Sequence, residues 1–416
     1  MKTDIVVIGG GIIGASSALQ LARGGTQVTL IDQDLPGHGC SYGNAGWMTP
    51  CFAMPLPMPG MLLKSMGWLL NPESPLYIKP SLSPDLISWL TRFLFSMNEK
   101  KAKSSVEILI SLSQESLRLY EQLSHSQPEL MQFEKKGLLM ISQTPSGRMA
   151  AIDELKWGEP FGITGEILSG ERAQELEPSL KGNLGGVYFQ KEAHAEPLGT
   201  VQAILKEATR LGVKVVPHCQ FQGLGQISQS GSGRQLKSIK TSLGEMFAES
   251  FVFATGSWSK EFSQELGLKI PILGGKGYSI ILPELERQPK IPVMLIEKKV
   301  AITPRKNSLR VAGTLELVDQ DFSITQRRLD AVVKGARQIL AIPEKVQYLE
   351  TWRGLRPCTP DGLPLLGRSP EFPNLVLACG HQMLGLQTGL GSGDWVAETL
   401  LKNKPQDPRL DPARFS

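Results

Sequence analysis

The chain has 416 residues, of which 41% are hydrophobic and 20% charged, a composition typical of a globular protein large enough for two domains. The net charge of +4 is small, and no block of Lys and Arg stands out, so we expect no nucleic-acid partner. The five cysteines are far apart and share no metal-binding spacing with His; we predict free thiols, a reducing compartment and no metal site.

The amino terminus shows no signal for export. The sequence MKTDIVVIGG enters an apolar strand within a few residues, which leaves no room for the regions of a signal peptide. The chain contains no run of 18 apolar residues, so no segment is predicted to span a membrane. We expect a cytoplasmic protein.

The chain opens with a predicted β-α-β unit. DIVVIGG (4–10) is short, apolar and rich in β-branched residues, which is typical of a buried parallel strand. IIGASSALQLARGG (12–25) predicts a helix, and QVTLID (27–32) predicts a second strand that ends in an acidic residue. This order indicates a parallel sheet with a crossover helix.

The composition changes twice after this unit. Residues 40–84 are rich in Pro, Met and Gly and too broken for one helix. Residues 271–350 alternate short strands with turns, which indicates an antiparallel sheet. Hydrophobic periodicity further predicts helices at 85–124, 197–211, 325–340 and 386–401, strands at 249–258 and 374–380, and a strand at 137–142 outside the opening sheet.

These elements predict an α/β fold with two discontinuous domains. A Rossmann-like dinucleotide-binding domain comprises residues 1–50, 195–265 and 353–416. An α+β substrate-binding domain with a mixed or antiparallel sheet comprises residues 51–194 and 266–352, with a helical insertion at 85–124.

The first predicted strand ends in the glycine motif GGGIIG, in which Gly9, Gly11 and Gly14 have the spacing GxGxxG. In such a motif one glycine permits a tight turn, the next lets the backbone approach a pyrophosphate, and the third lets helix and strand pack closely. Asp32 ends the second strand and is placed to accept hydrogen bonds from a ribose. The predicted site also includes the neighbouring residues Ile12, Ile13 and Gln33.

Two further glycine-rich strand ends favour FAD over NAD as the dinucleotide. ATGSW, from Ala254 to Trp258, follows a late strand, and CGHQMLGLQTGLGSG, from Cys379 to Gly393, lies between a strand and a helix. The amino terminus of that helix would stabilise negative charge on a flavin ring. Three such turns suit a long, permanently buried cofactor better than a diffusing nicotinamide.

Longer motifs resemble the D-amino-acid oxidase superfamily of FAD-dependent oxidoreductases, and most closely the small, flavin-carrying subunit of bacterial D-amino-acid dehydrogenases. They occur in order from end to end of the chain: IGGGIIGASSALQLARGGTQVTLID, CSYGNAGWMTP, FATGSWS, GKGYSIILP, VAITPRKNSLRVAGTLELV, WRGLRPCTPDGLPLLGR, NLVLACGHQMLGLQTGLGSG and DPARFS. The resemblance implies a flavoprotein enzyme with FAD as its cofactor.

The resemblance also implies which residues contact FAD. In this superfamily an SxxNAG segment passes the flavin, a residue after the VKVVP strand holds the adenine, the ATGSW strand end lies beside the pyrophosphate, and the third glycine cluster follows the isoalloxazine ring. The matching residues here are Ser41, Asn44, Ala45, Gly46, Phe221, Thr255, Gly256, Trp258, Gly380, His381, Gln382, Met383, Leu384, Gly385 and Leu386.

Three residues are the implied catalytic candidates. Arg356 matches the GLRP arginine that binds the substrate carboxylate in relatives, a role that suits a planar guanidinium. Tyr278 would supply the hydroxyl that a tyrosine provides in glycine oxidase, where this chain has Ala301; the alternative is a packed aromatic. His381 would line the flavin with its backbone, and its ring either acts chemically or is an ordinary core histidine.

Two other residues of WRGLRPC, Arg353 and Cys358, are predicted to have no catalytic role. We interpret Arg353 as a structural contact, and the glycines and prolines around it as a turn laid against the flavin. In sarcosine oxidase a cysteine attaches the flavin covalently. Cys358 does not fall at the matching distance from the TPD motif, so we predict non-covalent FAD.

The implied reaction is oxidation of a D-amino acid, with D-proline and hydroxyproline types among the candidate substrates. A hydride passes from Cα to flavin N5, the imino acid hydrolyses to a 2-oxo acid, and the electrons go to a quinone or respiratory acceptor. Two alternatives stay open: a glycine- or sarcosine-type oxidase that uses oxygen, and a flavin-carrying subunit that needs a partner. Contact with the inner face of a membrane through segments 52–70 and 86–95 is a further hypothesis; the oligomeric state is left open.

Overall fold

A computed structural model describes residues 2–59, 74, 76–78, 83–230, 233–318 and 320–416. Parts of the predicted irregular region 40–84, and of the segment 52–70 that we associate with a membrane, lie outside these residues. Within the described part of the chain, no helix is both long and apolar enough to cross a membrane.

The described strands are numbered in chain order. They are β1 Lys2–Ile8, β2 Val28–Ile31, β3 Trp47–Met48, β4 Leu76–Ile78, β5 Leu138–Ile141, β6 Glu166–Ser169, β7 Gly185–Phe189, β8 Ala193–His194, β9 Lys214–Val216, β10 Phe221–Leu224, β11 Ile227–Ser230, β12 Gly233–Leu236, β13 Ser238–Thr241, β14 Gly244–Phe253, β15 Leu273–Pro283, β16 Val293–Leu295, β17 Val300–Arg305, β18 Ser308–Val318, β19 Glu350–Cys358, β20 Leu365–Arg368 and β21 Leu375–Cys379.

The described helices are numbered in the same way. They are α1 Ile12–Arg23, α2 Pro84–Ser96, α3 Glu99–Ser126, α4 Pro128–Met131, α5 Pro145–Gly158, α6 Gly170–Leu176, α7 Pro197–Arg210, α8 Gln326–Arg337 and α9 Gly385–Leu401. Short 3₁₀ turns occur at Pro50–Phe52, Glu159–Phe161, Gly256–Phe262 and Pro412–Phe415.

The first sheet has a parallel core, as predicted. Its strand order is β10-β13-β14-β1-β2-β9, with β21 beside β14 and β20 beside β21. The pairs β1–β14, β1–β2, β2–β9 and β14–β21 are parallel. Helix α1 is buried from Ile12 to Ala22, because it packs against both the sheet and α9. That packing explains why α1 consists almost entirely of small and apolar residues.

The second sheet is mixed but mainly antiparallel, as predicted. Its order is β19-β15-β18-β17-β16-β5-β7-β6, with β4 paired to β18; β16–β5 and β18–β4 are parallel pairs. Helix α8 covers one face of this sheet and buries Leu329, Val332 and Val333 against it. The strand predicted at 137–142 is β5, and it lies in this sheet, outside the first one.

The segment WRGLRP is a strand rather than the turn that we expected. It forms most of β19, which pairs antiparallel with β15 from Leu273 opposite Cys358 to Ile281 opposite Glu350. Pro357 fits there because β19 is an edge strand, where a missing N–H is tolerated. The second sheet therefore continues past residue 353, where we placed a domain boundary; the boundaries themselves stay a prediction.

Candidate active site

A cavity of about 510 Å³ opens at the carboxyl ends of β1 and β2, the place where parallel sheets bind ligands. Both sheets contribute to its walls, since residues of β19 line it together with the glycine turn after β1. The predicted cofactor residues that line it are Gly9, Gly11, Ile12, Ile13, Asp32, Gln33, Ser41, Asn44, Phe221, Thr255, Gly256, Trp258, Gly380, His381, Gln382, Gly385 and Leu386.

The glycine motif has the geometry that a dinucleotide requires. Gly9 has a φ of +101°, and a Cβ on Gly14 would lie 1.8 Å from the carbonyl oxygen of Gly9, so α1 approaches β1 too closely for any side chain. A Cβ on Gly11 would meet only Ser41 Oγ, at 3.5 Å, and this stretch of backbone is open to the cavity. The amino terminus of α1 begins beside it and attracts phosphate charge.

Asp32 lies on the cavity wall at the end of β2. Its Oδ2 accepts a hydrogen bond from the Gly10 N–H at 2.6 Å, and its Oδ1 accepts one from the Asp34 N–H at 2.8 Å. Burial raises the pKa of this carboxyl, and the two N–H donors act in the opposite direction. These contacts fix the carboxylate where a ribose hydroxyl pair is expected.

Ser41 and Asn44 connect the two sides of the cavity. Ser41 Oγ accepts a hydrogen bond from the Ile12 N–H at 3.0 Å, and Asn44 Nδ2 donates to the Met383 carbonyl at 3.3 Å. The loop that carries them is therefore bound both to the start of α1 and to the segment before α9. Each of these neighbours is part of the predicted flavin site.

Five predicted cofactor residues do not line the cavity: Gly14, Ala45, Gly46, Met383 and Leu384. Gly14 lies where α1 packs against the turn after β1, in close contact with the Gly9 backbone. The Ala45 carbonyl accepts a hydrogen bond from Thr303 Oγ1 at 2.7 Å, so this part of the loop is held from β17. These residues support the wall of the cavity instead of forming it.

Aromatic side chains line part of the cavity. The ring of Phe221 packs edge-on against Phe253 and Phe262, with centroids 5.5 and 4.8 Å apart. Trp258 stacks near Phe322 with centroids 6.1 Å apart. An open glycine turn, a helix amino terminus, a fixed carboxylate and aromatic side chains together fit a long dinucleotide such as FAD.

Arg356 extends from β19 across the neighbouring strand β15. A Cβ on Gly277 would lie 2.0 Å from Arg356 Nη1, so the guanidinium occupies the space that a side chain would take. Nη1 donates a hydrogen bond to the Thr314 carbonyl on β18 at 2.8 Å. Burial lowers the pKa of Arg356, and the sulfur atoms of Cys40 and Cys358 oppose this shift. Among the described residues, no carboxylate pairs with this arginine.

Arg353 makes the backbone contact that we expected of it. Its Nε donates to the Phe322 carbonyl at 2.6 Å, and its guanidinium lies 5.1 Å from the centroid of the Phe322 ring. Arg353 also lines the cavity. Arg356 lies three residues further along the strand and so points to the opposite face; it is not among the residues that line the cavity.

Tyr278 is not brought to the cavity. Its side chain is buried in the apolar cluster between the second sheet and α8, and its hydroxyl accepts a hydrogen bond from the Thr325 N–H at 3.1 Å. Gly277, the preceding residue, faces Arg356, so Tyr278 points to the opposite face of β15. This placement favours the alternative of a packed aromatic residue over a role at the substrate.

The ring of His381 is a buried group with a hydrogen-bond partner. Its Nε2 lies 3.1 Å from Ser392 Oγ on α9, and burial lowers the pKa of His381 to about 3. The imidazole is therefore neutral at physiological pH. The residue lines the cavity, which agrees with a core histidine whose backbone passes the cofactor.

Several residues that line the cavity were not predicted from the sequence. They include His38, Cys40, Trp352 and Phe322. Cys40 directly precedes Ser41, so its position could have been inferred from that motif. Phe322 lies in no motif and reaches the cavity only because the chain after β18 returns towards β19. Cys358, by contrast, is fully buried beneath Gly275 and does not line the cavity.

Comparison with known proteins agrees with this geometry. The family model described as FAD dependent oxidoreductase matches residues 4–399. A protein named D-amino acid dehydrogenase from Vibrio atlanticus is 32% identical over 407 residues, which cover 95% of each chain. L-proline dehydrogenase from P. horikoshii has a TM-score of 0.77 at 21% identity, with 100% and 98% coverage. Glycine oxidase from Bacillus cereus has a TM-score of 0.75 at 21% identity, with 99% and 98% coverage.

The two-sheet fold and the glycine-lined cavity define an FAD-binding oxidoreductase. The chain belongs to the family of FAD-dependent oxidoreductases whose model spans nearly its whole length, and FAD is its cofactor. The resemblance to the D-amino-acid oxidase superfamily is thereby confirmed. The two solved structures show that the fold extends over the full chain.

Proposed function

We propose that the chain is an FAD-dependent dehydrogenase of D-amino acids. The observation that carries this proposal is Arg356, a half-buried guanidinium that has no carboxylate partner among the described residues and lies across Gly277. A buried charge is costly unless it is paired. A substrate carboxylate would supply the missing partner. The names of several relatives, D-amino acid dehydrogenase in each case, support the substrate class.

In this proposal the protein positions the substrate more than it transfers protons. Bound FAD supplies the electron pair acceptor for the hydride that leaves Cα. Arg356 holds the carboxylate, while Ser41, Asn44 and the glycine turn at Gly11 hold the cofactor. The neutral ring of His381 leaves no imidazolium to act as an acid there. The imino acid that forms hydrolyses to a 2-oxo acid and ammonium, or stays cyclic when the substrate is of the proline type.

The test of the substrate class is anaerobic bleaching of the flavin. The purified protein is mixed with a panel of D- and L-amino acids that includes D-proline and D-hydroxyproline, and the flavin absorbance is followed. We expect one or more D-amino acids to bleach it and their L-enantiomers to leave it oxidised. Bleaching by no amino acid would contradict the proposal.

The role of Arg356 has its own test. In Arg356→Leu the substrate carboxylate loses a charged hydrogen-bond partner, so the apparent affinity should fall by about 3 kcal/mol, or roughly 150-fold. Arg356→Lys should recover little of it, because an ammonium cannot form the same paired contact. Flavin content serves as the control for folding. Unchanged kinetics in Arg356→Leu would remove this residue from the substrate site.

The electron acceptor separates the proposal from its two alternatives. A dehydrogenase should reduce an artificial quinone or dye much faster than oxygen, with little hydrogen peroxide. A glycine- or sarcosine-type oxidase would consume oxygen at the turnover rate. A subunit that needs a partner would behave differently from both. No substrate would bleach the flavin of the purified single chain, but activity would appear when a cell extract is added.

We also propose that a quinone acceptor is reached at a membrane surface. On α2, the side chains of Ile87, Leu94 and Phe95 are 54%, 49% and 74% exposed, and Lys100 and Lys101 follow at the start of α3. Apolar side chains beside basic ones are typical of helices that lie on anionic membranes.

Vesicle flotation tests this contact. The protein should float with vesicles of anionic phosphatidylglycerol, and Phe95→Ser combined with Leu94→Ser should weaken flotation. Leu349→Ser is the matched control, because Leu349 is 60% exposed at a different place. Equal flotation of all variants would contradict a role for α2.

A further inference from the structure

Thr314 has a backbone conformation that its residue type disfavours. Its φ is +59°, in the left-handed region where β-branched residues are rare outliers. Such a conformation is strained, and strained residues of this kind cluster at functional sites. Glycine would adopt this backbone without strain, so the presence of threonine suggests a role for its side chain.

The strain arises from a bulge in β18. Lys276 pairs with Glu316 and Tyr278 pairs with Gly313, so that two residues of β18, Thr314 and its successor, lie opposite the single residue Gly277. A bulge whose first residue is left-handed usually has glycine at that position. Here the position is filled by threonine.

The bulge places the backbone carbonyl of Thr314 against Arg356. The Thr314 carbonyl accepts a hydrogen bond from Arg356 Nη1 at 2.8 Å. On the same face, a Cβ added to Gly275 would contact Leu315, Arg356 and Cys358. Three strands thus build one site, in which the arginine of β19 crosses a glycine of β15 and ends on the bulge of β18.

The hydroxyl of Thr314 is buried and, within the described part of the chain, has no hydrogen-bond partner. The hydroxyl belongs to the same residue whose carbonyl accepts the hydrogen bond from the Arg356 guanidinium. A buried hydroxyl without a partner is costly. A ligand held by Arg356 would supply the acceptor.

We propose that Thr314 Oγ1 donates a second hydrogen bond to the carboxylate that Arg356 binds. This inference rests on the proposed function, because it needs Arg356 to hold a carboxylate. It assigns two tasks to one residue: the carbonyl fixes the guanidinium, and the hydroxyl contacts the substrate. It also gives threonine a role at a position where glycine would relieve the strain.

The experiment compares Thr314→Val, Thr314→Ser and Thr314→Gly with the native holoenzyme. Val keeps the shape of the side chain without the hydroxyl, Ser keeps the hydroxyl, and Gly keeps the backbone without either strain or hydroxyl. The dissociation constant for the best-bleaching amino acid comes from anaerobic stopped-flow reduction. A second readout, independent of turnover, is the change in flavin absorbance on titration with propionate, with neutral propionamide as the control ligand.

We expect Thr314→Val and Thr314→Gly to raise the dissociation constants for the amino acid and for propionate by about 10- to 100-fold. This is the range for the loss of one hydrogen bond to a charged group. Ser should stay within a few-fold of the native protein, and the limiting rate of flavin reduction should change less than the affinity. Thr314→Gly keeps the test decisive if Thr314→Val fails to fold, because glycine suits the left-handed backbone.

Unchanged affinities in Val and Gly would overturn the inference, as would equal losses in Ser and Val. The outcome for the proposed function is separate. If Arg356→Leu loses affinity while Thr314→Val does not, only the inference about Thr314 fails. If Arg356→Leu itself keeps full affinity, the proposed carboxylate site fails.

Discussion

The two sheets use glycine for different purposes. In the first sheet, Gly9 and Gly14 let a helix approach a strand, and Gly9 lies on the wall of the cavity beside them. In the second sheet, Gly277 makes room for the guanidinium of a neighbouring strand. The first arrangement is local in sequence, whereas the second joins residues far apart in the chain. One site is thus built from a motif, and the other from strand pairing.

The second sheet also buries more ionisable groups. Lys276 is fully buried, with its Nζ 3.0 Å from Asp321 Oδ2 and 3.6 Å from Glu316 Oε2. Glu192, which follows β7 of this sheet, is 3% exposed. Buried charges raise the cost of any error in strand pairing. We therefore expect the second sheet, where the proposed substrate site lies, to be the more sensitive to pH, and the first sheet to be the more sensitive to added volume.

The largest effect is expected where volume is added in the first sheet. In Gly14→Ala the new Cβ would lie 1.8 Å from the backbone oxygen of Gly9, so α1 must move off β1. We expect the loss of bound FAD and a destabilisation of more than about 3 kcal/mol, measured from the flavin-to-protein absorbance ratio and by denaturation. Gly11→Ala is the comparison: its Cβ meets only Ser41 Oγ at 3.5 Å, so it should fold yet bind FAD weakly. A Gly14→Ala protein with normal flavin content would contradict the close-packing explanation.

The pH dependence of stability should come from Glu192. Burial raises the pKa of its carboxyl from 4.5 to about 8, opposed in part by a hydrogen bond from the Cys51 N–H. Between those two values the native protein keeps a proton that the unfolded chain has released, so raising the pH favours unfolding. The loss amounts to about 1.4 kcal/mol for each pH unit in that range.

Glu192→Gln should abolish this loss, because an amide resembles the protonated carboxyl. The free energy of unfolding of both proteins, measured by denaturant at pH 5, 6 and 7.5, gives the difference directly, and other titrating groups cancel. Glu129→Gln, at an exposed position, is the matched control. A constant difference between native and Glu192→Gln proteins across this range would show that the carboxyl is not held protonated.

The parts of the fold that were predictable are those encoded by short segments. The β-α-β unit around Gly9, the strand β5 outside the first sheet and the helix α8 over the second sheet each follow from a local hydrophobic pattern. The strand β19 was not predictable from its own segment, because its Gly and Pro residues resemble those of a turn. Only its pairing with β15, about 70 residues earlier in the chain, makes it a strand.

The residues of the candidate site also fall into two groups, those placed by a local motif and those placed by the pairing of distant strands. Gly11, Asp32 and Ser41 line the cavity as their motifs predict, since each lies next to the element that places it. Tyr278 and Thr314 could not be assigned from the sequence. The face of β15 to which Tyr278 points, and the bulge that places the Thr314 carbonyl against Arg356, depend on the register between strands. No pattern within a single segment contains that register.

A moderate effect is expected where volume is added in the second sheet. In Gly277→Ala the Cβ would displace the Arg356 guanidinium, whose Nη1 lies 2.0 Å away, but a flexible side chain can move where a backbone cannot. We expect normal FAD content and a loss of substrate affinity of about 2 kcal/mol, or roughly 30-fold. Ser279→Ala, two residues along β15, should leave affinity unchanged. Loss of FAD in Gly277→Ala would mean that the two sheets are not separable in this way.

The smallest effect should come from the hydroxyl of Tyr278. Tyr278→Phe removes the acceptor for the Thr325 N–H just before α8, 3.1 Å away, and Thr325 is exposed, so water can take its place. We expect a destabilisation of about 1 kcal/mol or less and unchanged substrate affinity, measured by denaturation and by anaerobic flavin reduction. Tyr278 and Gly277 are neighbours on β15 with opposite faces, so a kinetic effect here would place the hydroxyl at the substrate. A change in stability alone would instead show that only the face of β15 covered by Arg356 takes part in binding.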